Sequence, residues 1–324
     1  EGAIIGAGGS PIGLGGDIGG SIRLPAFFNG VVGHKATGGR VPETGCWPGA
    51  SGLIGRYKVC GPLGRRVEDV KALMPILARP DGRDASVDGP AWGAAPELDP
   101  HEVTVYWFDD NGVISPSPDI RAAVRAAATS LAAMGCRVER WRPPGIERSF
   151  QIWANALEHA GGPKYIDTLG DFEAVNLLAQ WLRWPLGKSD HIFPCLALAT
   201  LEAVVSKFPA WGRRMADQRL VLQREIETKL GPRGVMLCPV FHRTAPRHGL
   251  EAMKEFLGFT YSGGLNPTEI PATAVPMGFG SCGLPTGVQI AAVRNNDHLT
   301  LEVAGWLERA HGGWRPGPIR GVDA

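Results

Sequence analysis

The sequence predicts an α/β fold, and one strand–helix–strand run carries that prediction. Residues 101–108 and 136–141 are rich in β-branched and aromatic side chains, which favours two strands. Between them lies an alanine-rich segment, 120–134, which we predict to be a helix with Asp119 as its N-cap and Gly135 at its end. A strand, a helix and a strand in this order form a βαβ unit, which is typical of α/β sheets. The 324 residues, 44% of them hydrophobic, suffice for one large domain of this class.

Further elements are predicted on both sides of this unit. The apolar spacing of Val67–Leu77 predicts a helix that ends at the turn-forming residues 79–82. Residues 81–100 are predicted to form a loop. Toward the carboxyl end we predict two buried strands and a closing helix, at residues 235–239, 286–293 and 297–309.

The segment 143–230 is predicted to be helical and is rich in tryptophan. Four tryptophans lie there among aliphatic residues: Trp153, Trp181, Trp184 and Trp211. Two interpretations stay open. The rings pack helices onto the sheet, or some of them line an apolar pocket for an acyl or aryl group, since ligand sites are often walled by aromatic residues.

The charge and the motif content exclude several function classes. With 33 basic and 32 acidic residues the net charge is +1, so no electrostatic argument favours nucleic acid or an anionic membrane as a partner. The six cysteines show no Cys-x-x-Cys spacing, which disfavours a zinc site. The chain also lacks a complete phosphate-loop motif, a His-Glu-x-x-His pair and a Gly-x-Ser-x-Gly elbow. No apolar run has the length of a membrane span, and a signal-peptide pattern is missing from the first residues, so a cytoplasmic protein is the default expectation.

The strongest chemical signal is a glycine-rich run that leads to a serine, at residues 15–26. Because glycine has no Cβ, successive amide N–H groups can turn toward one point there and admit a substrate carbonyl. Ser21 follows Gly19 and Gly20, so its hydroxyl could attack the carbon whose oxygen those N–H groups hold. The run therefore predicts a serine nucleophile beside an oxyanion hole, against the simpler interpretation of a glycine-rich turn.

Several further motifs extend this signal along most of the chain. They occur in the order Gly9-Ser10-Pro11, 17–26, 30–35, 39–42, Gly61-Pro62-Leu63, Ile270-Pro271-Ala272 and 283–289. Together they resemble the amidase signature family, and they are nearest to its fatty-acid amide hydrolase branch. The resemblance implies a mixed, twisted sheet covered by helices on both faces. It also implies an enzyme that hydrolyses carboxylic amide C–N bonds through a serine acyl-enzyme.

The resemblance assigns roles to the residues of this run. Ser21 matches the nucleophile of the family's Ser-Ser-Lys triad, and the N–H groups of Ile18, Gly19, Gly20 and Ser21 match its oxyanion hole. Charge gives two further residues a supporting role. A carboxylate aimed at the hole would oppose a developing oxyanion, so we expect Asp17 to pair with Arg23 or to accept hydrogen bonds from loop amides.

The other two members of the triad have no match in this chain. In the family the bridging serine would lie just before Glu1, and the lysine well upstream of it. We therefore expect residues 1–324 to form an amidase domain that lacks its amino-terminal part, and we expect this chain alone to be inactive. Lys35 is the lysine nearest to the loop in sequence, but the resemblance places it in a structural segment rather than in the role of the missing base.

The expected partner is a small-molecule amide with an apolar acyl or aryl group, and no nucleic acid. Two other functions stay open. One is an amidotransferase subunit that passes ammonia to a partner protein. The segment Phe27-Phe28-Asn29 fits the amide-hydrolase branch better than this function. The other is a non-catalytic binding module on the same fold. The resemblance implies no metal and no organic cofactor. It leaves open a homodimer and, because the branch includes membrane-anchored members, an amino-terminal anchor or signal.

Overall fold

An eight-stranded mixed sheet forms the centre of the protein. The structure is a computed structural model, and it describes residues 1–50, 52–95, 97–161, 164–170, 173–207, 209–249 and 255–316. The strands are β1 (Ile12–Asp17), β2 (Val32–Lys35), β3 (Val59–Gly64), β4 (Thr104–Trp107), β5 (Arg137–Arg140), β6 (Gly234–Pro239), β7 (Ala272–Phe279) and β8 (Pro285–Ala292). They are hydrogen-bonded in the order β1-β3-β2-β7-β8-β6-β4-β5.

The direction of the strands divides the sheet into two parts. From β1 to β6 along this order every neighbouring pair is antiparallel, whereas β6, β4 and β5 are parallel. The two strands of the predicted βαβ unit are β4 and β5, the outer pair of the parallel part, in which Val105 lies opposite Val138. The prediction of an α/β fold with a mixed sheet is therefore confirmed.

Helices surround the sheet. In the described residues they are α1 (Gly2–Gly6), α2 (Arg23–Phe28), α3 (Gly52–Tyr57), α4 (Val67–Leu77), α5 (Pro118–Ala133), α6 (Ser149–His159), α7 (Tyr165–Leu169), α8 (Leu177–Arg183), α9 (Phe193–Val205), α10 (Pro209–Leu230), α11 (Thr260–Gly263) and α12 (Asp297–His311). Short 3₁₀ turns occur at Pro100–Glu102, Ile146–Arg148, Trp184–Leu186 and Phe256–Phe259. None of these described helices combines the length and hydrophobicity that crossing a bilayer requires.

The helix of the βαβ unit begins earlier than predicted. Ser117 takes the N-cap position and Pro118 the first helical position, where the fixed φ of proline suits a helix start. The prediction of Asp119 as N-cap is therefore wrong. Its carboxylate instead accepts hydrogen bonds from the N–H and the hydroxyl of Ser281, which tie the helix to the turn between β7 and β8.

The two faces of the sheet pack against different helices. Along β6, Val235 and Leu237 belong to one hydrophobic cluster, whereas Met236 and Cys238 belong to another, as the two-residue period of a strand requires. Helices α4, α5 and α12 cover the first face with Val70, Val124, Leu131, Val303 and Leu307. Helices α6 and α10 cover the second with Ile152, Leu222 and Ile226. Burial on both faces explains why this strand is a continuous apolar run in the sequence.

Candidate active site

The predicted nucleophile lies on a loop between the edge strand β1 and helix α2. Strand β1 ends at Asp17, α2 begins at Arg23, and residues 17–23 form what we call the nucleophile loop. Gly20 has φ +118°, and a Cβ there would lie 2.8 Å from the Cβ of Ser262. Both the backbone conformation and the close approach therefore require glycine immediately before Ser21. Ser21 itself is exposed.

A buried ion pair fixes the two ends of this loop. Asp17 and Arg23 are both fully buried. Arg23 donates from Nε to Asp17 Oδ2 at 3.0 Å and from a terminal nitrogen to Oδ1 at 3.0 Å, which is the bidentate arrangement that aligns a guanidinium and a carboxylate. The same carboxylate accepts backbone N–H groups from Gly20 at 2.7 Å and Ile22 at 3.2 Å. Both of the contacts expected for Asp17 thus occur together.

Two side chains from distant parts of the sequence complete this network. Asn266 accepts a hydrogen bond from Arg23 at 2.8 Å and donates to the backbone oxygen of Asp17 at 2.7 Å. Gln289, on β8, accepts from Arg23 at 2.9 Å and donates to the carbonyls of Pro239 and Tyr261. All four buried side chains are therefore hydrogen-bonded to one another or to the backbone. No role was predicted from the sequence for Asn266 or Gln289, although Gln289 ends one of the matching motifs.

The electrostatics of the loop follow from burial and from this pairing. Burial would raise the pKa of Asp17, but the Arg23 guanidinium outweighs it and lowers that pKa to about 2. Burial, and then the charge of Arg23, lower the pKa of Lys35 to about 7. Lys35 is fully buried on β2, and its ammonium donates to the carbonyls of Ala36 at 3.0 Å and Ile270 at 2.8 Å. These contacts fit the structural position that was expected for Lys35.

One of the four N–H groups of the predicted oxyanion hole is already hydrogen-bonded within the loop. The N–H of Gly20 points at Asp17, so in this conformation it is not available to a substrate oxygen. The prediction then rests on the N–H groups of Ile18, Gly19 and Ser21. Trp153 of α6 holds this part of the loop, since its indole N–H donates to the carbonyl of Ile18 at 2.6 Å.

A cavity of about 360 Å³ opens beside Ser21. Most of its boundary is apolar, and we call the following side chains the apolar wall: Ile54, Trp153, Leu157, Leu198 and Leu201. The charged residues Lys58, Glu158 and Glu202 also line it. Lys58 donates to Glu43 at 2.5 Å and to the carbonyl of Pro48 at 2.6 Å. Glu202 accepts the backbone N–H groups of Tyr165 and Ile166 at the start of α7.

The tryptophans divide between the two interpretations left open by the sequence. Trp153 both packs edge-on against Phe259 and lines the cavity. Trp181 and Trp184 pack against Phe193 instead, and Trp181 donates to the hydroxyl of Thr200 at 2.9 Å. The side chain of Trp211 lies outside the described part of the structure.

Comparison with known proteins assigns the chain to a family. The family model described as Amidase matches residues 1–301. The chain belongs to the amidase family. Fatty-acid amide hydrolase 2-A of Danio rerio is 35% identical over 97% of this chain and 59% of its own length, and the Homo sapiens fatty-acid amide hydrolase 2 is 33% identical over 97% and 60%. The chain thus spans about three fifths of these curated relatives.

A solved structure gives the same fold. The structure of 6-aminohexanoate cyclic dimer hydrolase superimposes with a TM-score of 0.77 at 21% identity, over 98% of this chain and 68% of that one. Both the family and the fold that the sequence predicted are therefore confirmed. The roles of the individual site residues stay predictions.

Proposed function

We propose that the protein is an amidase in which residues 1–324 form one domain and Ser21 is the nucleophile. One observation carries the proposal: Ser21 is exposed at the edge of a largely apolar cavity, on a loop whose ends are held by the buried Asp17–Arg23 pair. A nucleophile needs a fixed orientation toward the carbonyl carbon, and this pair supplies it. The relatives named fatty-acid amide hydrolase support the same reaction class.

The proposed reaction has two stages. The Ser21 oxygen forms a bond to the amide carbon while its proton passes to a base, and the negative oxygen that results faces the N–H groups of Ile18, Gly19 and Ser21. The C–N bond then breaks, the amine leaves with a proton, and the acyl group stays on Ser21. Water attacks the acyl carbon in the second stage and releases the carboxylic acid. The family resemblance assigns the base to a lysine and a second serine that match no residue of this chain.

The cavity supports an amide with an apolar acyl or aryl group as the substrate. The apolar wall offers surface to such a group, and burying it contributes about 0.8 kcal/mol per CH₂. Two of the charged residues at the cavity already have partners, because Lys58 is paired with Glu43 and Glu202 binds the start of α7. A substrate carboxylate would have to compete with Glu43 for Lys58 and would be repelled by Glu158 and Glu202.

Covalent labelling tests the role of Ser21. The full-length gene product is treated with a fluorophosphonate probe, and the labelled residue is identified by mass spectrometry. We expect the label on Ser21, and we expect Ser21→Ala to lose both the label and the hydrolysis of anilides. Ser10→Ala, a change on the same segment, is the matched control and should keep both.

Two results would contradict the proposal. A label on another residue while Ser21 stays unmodified would remove Ser21 from the role of nucleophile. Hydrolysis of glutamine in preference to apolar anilides would favour the amidotransferase function instead.

A further inference from the structure

Three potential metal ligands meet beside the cavity, in a part of the chain that the proposed reaction does not use. The sulfurs of Cys46 and Cys60 lie 3.5 Å apart. A carboxylate oxygen of Glu43 completes a group whose ligand atoms all lie within 4.8 Å of one another. Cys46 precedes Trp47 and Pro48 of the cavity boundary, and Cys60 lies on β3. We call Glu43, Cys46 and Cys60 the thiol cluster.

One carboxylate oxygen of Glu43 is buried and lacks a hydrogen-bond partner among the described residues. Glu43 is 4% exposed. Its Oε2 accepts the hydrogen bond from Lys58, whereas Oε1 has no hydrogen-bond partner among the described residues. A buried acceptor without a partner costs about 1–3 kcal/mol, so a structure that retains one needs an explanation. A cation bound at Oε1 would satisfy this oxygen without displacing Lys58.

The spacing of the two sulfurs fits two ligands of a tetrahedral ion, and the Glu43 oxygen lies within 4.8 Å of both. Two sulfurs that each lie about 2.3 Å from one Zn²⁺ are about 3.8 Å apart, and a sulfur and a carboxylate oxygen are about 3.6 Å apart. The observed sulfur separation of 3.5 Å is close to the first value. A disulfide would require the same sulfurs to approach to about 2.0 Å, a far larger movement. The geometry therefore favours a shared ion over a covalent bridge.

The charges also balance. When the cluster is protonated, Glu43 and Lys58 neutralise one another and both thiols are neutral. When Zn²⁺ binds, it displaces one proton from each thiol, and two thiolates, one carboxylate, one Lys58 ammonium and one Zn²⁺ again sum to zero. Neutrality in both states matters because an uncompensated charge at a buried site is costly.

We propose that Glu43, Cys46 and Cys60 form a site for Zn²⁺, with the fourth ligand position open to water. Sulfur ligands select soft divalent cations, and two sulfurs with one carboxylate oxygen suit Zn²⁺. The ion would link the segment around Cys46 to β3. It would thereby fix the position of Trp47 and Pro48, which follow Cys46 and line the cavity.

The absence of Cys-x-x-Cys spacing hides this site from the sequence. Cys46 and Cys60 are separated by 14 positions and come together only because a loop folds back over β3. The proposed Zn²⁺ site contradicts the expectation from the cysteine spacing. A measurement of Zn²⁺ binding distinguishes the two.

The test is a titration of the full chain with Zn²⁺ against a competing chelator, under a reductant that keeps the thiols free. We expect one equivalent to bind. Cys46→Ser and Cys60→Ser should each weaken binding by about 100-fold or more, since even the loss of a residue behind a metal ligand costs about 10–100-fold. Because two protons leave, the apparent Kd should change by about two powers of ten per pH unit.

Cys282→Ser is the matched control, because Cys282 is an exposed thiol outside the thiol cluster. It should leave the affinity unchanged. Co²⁺ gives a second readout that does not depend on protein stability: at saturating Co²⁺ the wild type should show thiolate-to-cobalt absorption, and each variant that lacks one cluster thiol should show about half of it. The proposal is overturned if reduced wild type shows no such absorption, if Cys46→Ser and Cys60→Ser bind Zn²⁺ like the wild type, or if binding disappears with Cys282→Ser alone.

Discussion

The two sides of the cavity beside Ser21 are built on different physical principles. The nucleophile loop rests on four buried polar side chains, Asp17, Arg23, Asn266 and Gln289, whose hydrogen bonds fix direction as well as distance. The apolar wall consists of side chains held by non-directional contact. Directional bonds suit a nucleophile whose angle of attack must be constant, whereas apolar contact depends mainly on shape and area. We therefore expect changes under the loop to affect the whole protein, and changes in the wall to affect substrate choice.

Removal of Arg23 should have the largest effect. Arg23→Met keeps much of the side-chain volume but leaves the Asp17 carboxylate buried without its counter-ion. Breaking a buried pair in this way costs about 3–5 kcal/mol. Urea denaturation should show a lower midpoint for Arg23→Met. Arg233→Met breaks the half-exposed Arg233–Glu102 pair and is the control, for which we expect a loss of at most about 1 kcal/mol. Equal losses in both variants would show that the buried network is not what holds the loop.

Acid should weaken the same network by a smaller amount. The pKa of Asp17 in the folded protein is about 2, below the ordinary 3.8, so the folded state favours the charged carboxylate. The stabilisation is therefore fully present above about pH 4 and is lost as the pH falls through 2. The corresponding loss in the free energy of unfolding is about 2 kcal/mol. Urea midpoints measured at several pH values should show this decline.

Asp17→Asn should make that acid-dependent decline shallower, even though the variant is less stable at neutral pH. It should not abolish the decline, because Asp297, which binds His34 and Thr37, also has a lowered pKa. An identical pH dependence in Asp17→Asn and wild type would assign the acid sensitivity to other groups.

The sequence revealed the parts of the site that depend on neighbouring residues and missed the parts that depend on distant ones. The nucleophile loop is local, because its glycines, Asp17, Ser21 and Arg23 lie within a few positions of one another. The partners Asn266 and Gln289 are 243 and 266 positions from Arg23, and only the pairing of the strands brings them under the loop. Local spacing carries no information about such contacts.

The same distinction explains two smaller outcomes. Helix α4 was predicted with its observed bounds because its apolar spacing is a local property. The N-cap of α5 was misplaced because Asp119 has the right chemistry, but Pro118 already fits the first helical position and Ser281 binds the Asp119 carboxylate.

A comparison of two tryptophans should show an intermediate effect at the point where the two sides meet. Trp153→Phe keeps a ring in the apolar wall but loses the N–H that holds Ile18 of the nucleophile loop. One such hydrogen bond is worth about 1 kcal/mol, so kcat of the full-length gene product for an anilide should fall about fivefold while KM changes little. Trp181→Phe loses an equivalent bond to Thr200, which is not part of the loop, and should leave kcat unchanged. Equal kcat values for the two variants would show that Trp153 serves packing alone.

The smallest change should come from the apolar wall, and it should appear only for long substrates. In a series of straight-chain amides from acetamide upward, measured with the full-length gene product, each added CH₂ that enters the cavity should raise kcat/KM about fourfold, which corresponds to about 0.8 kcal/mol. Leu198→Ala should reduce this gain for the longer members and leave acetamide unchanged, because acetamide is too short to require the wall. Leu178→Ala, at an exposed position of α8, is the control and should follow the wild type throughout.

A wild-type series that stays flat or falls would show that the acyl chain does not enter the cavity, and would leave Trp153 and Leu198 with a packing role. A loss that is equal for acetamide and the longer amides would instead mean that Leu198→Ala disturbs the nucleophile loop, and the proposed division between the two sides of the cavity would fail.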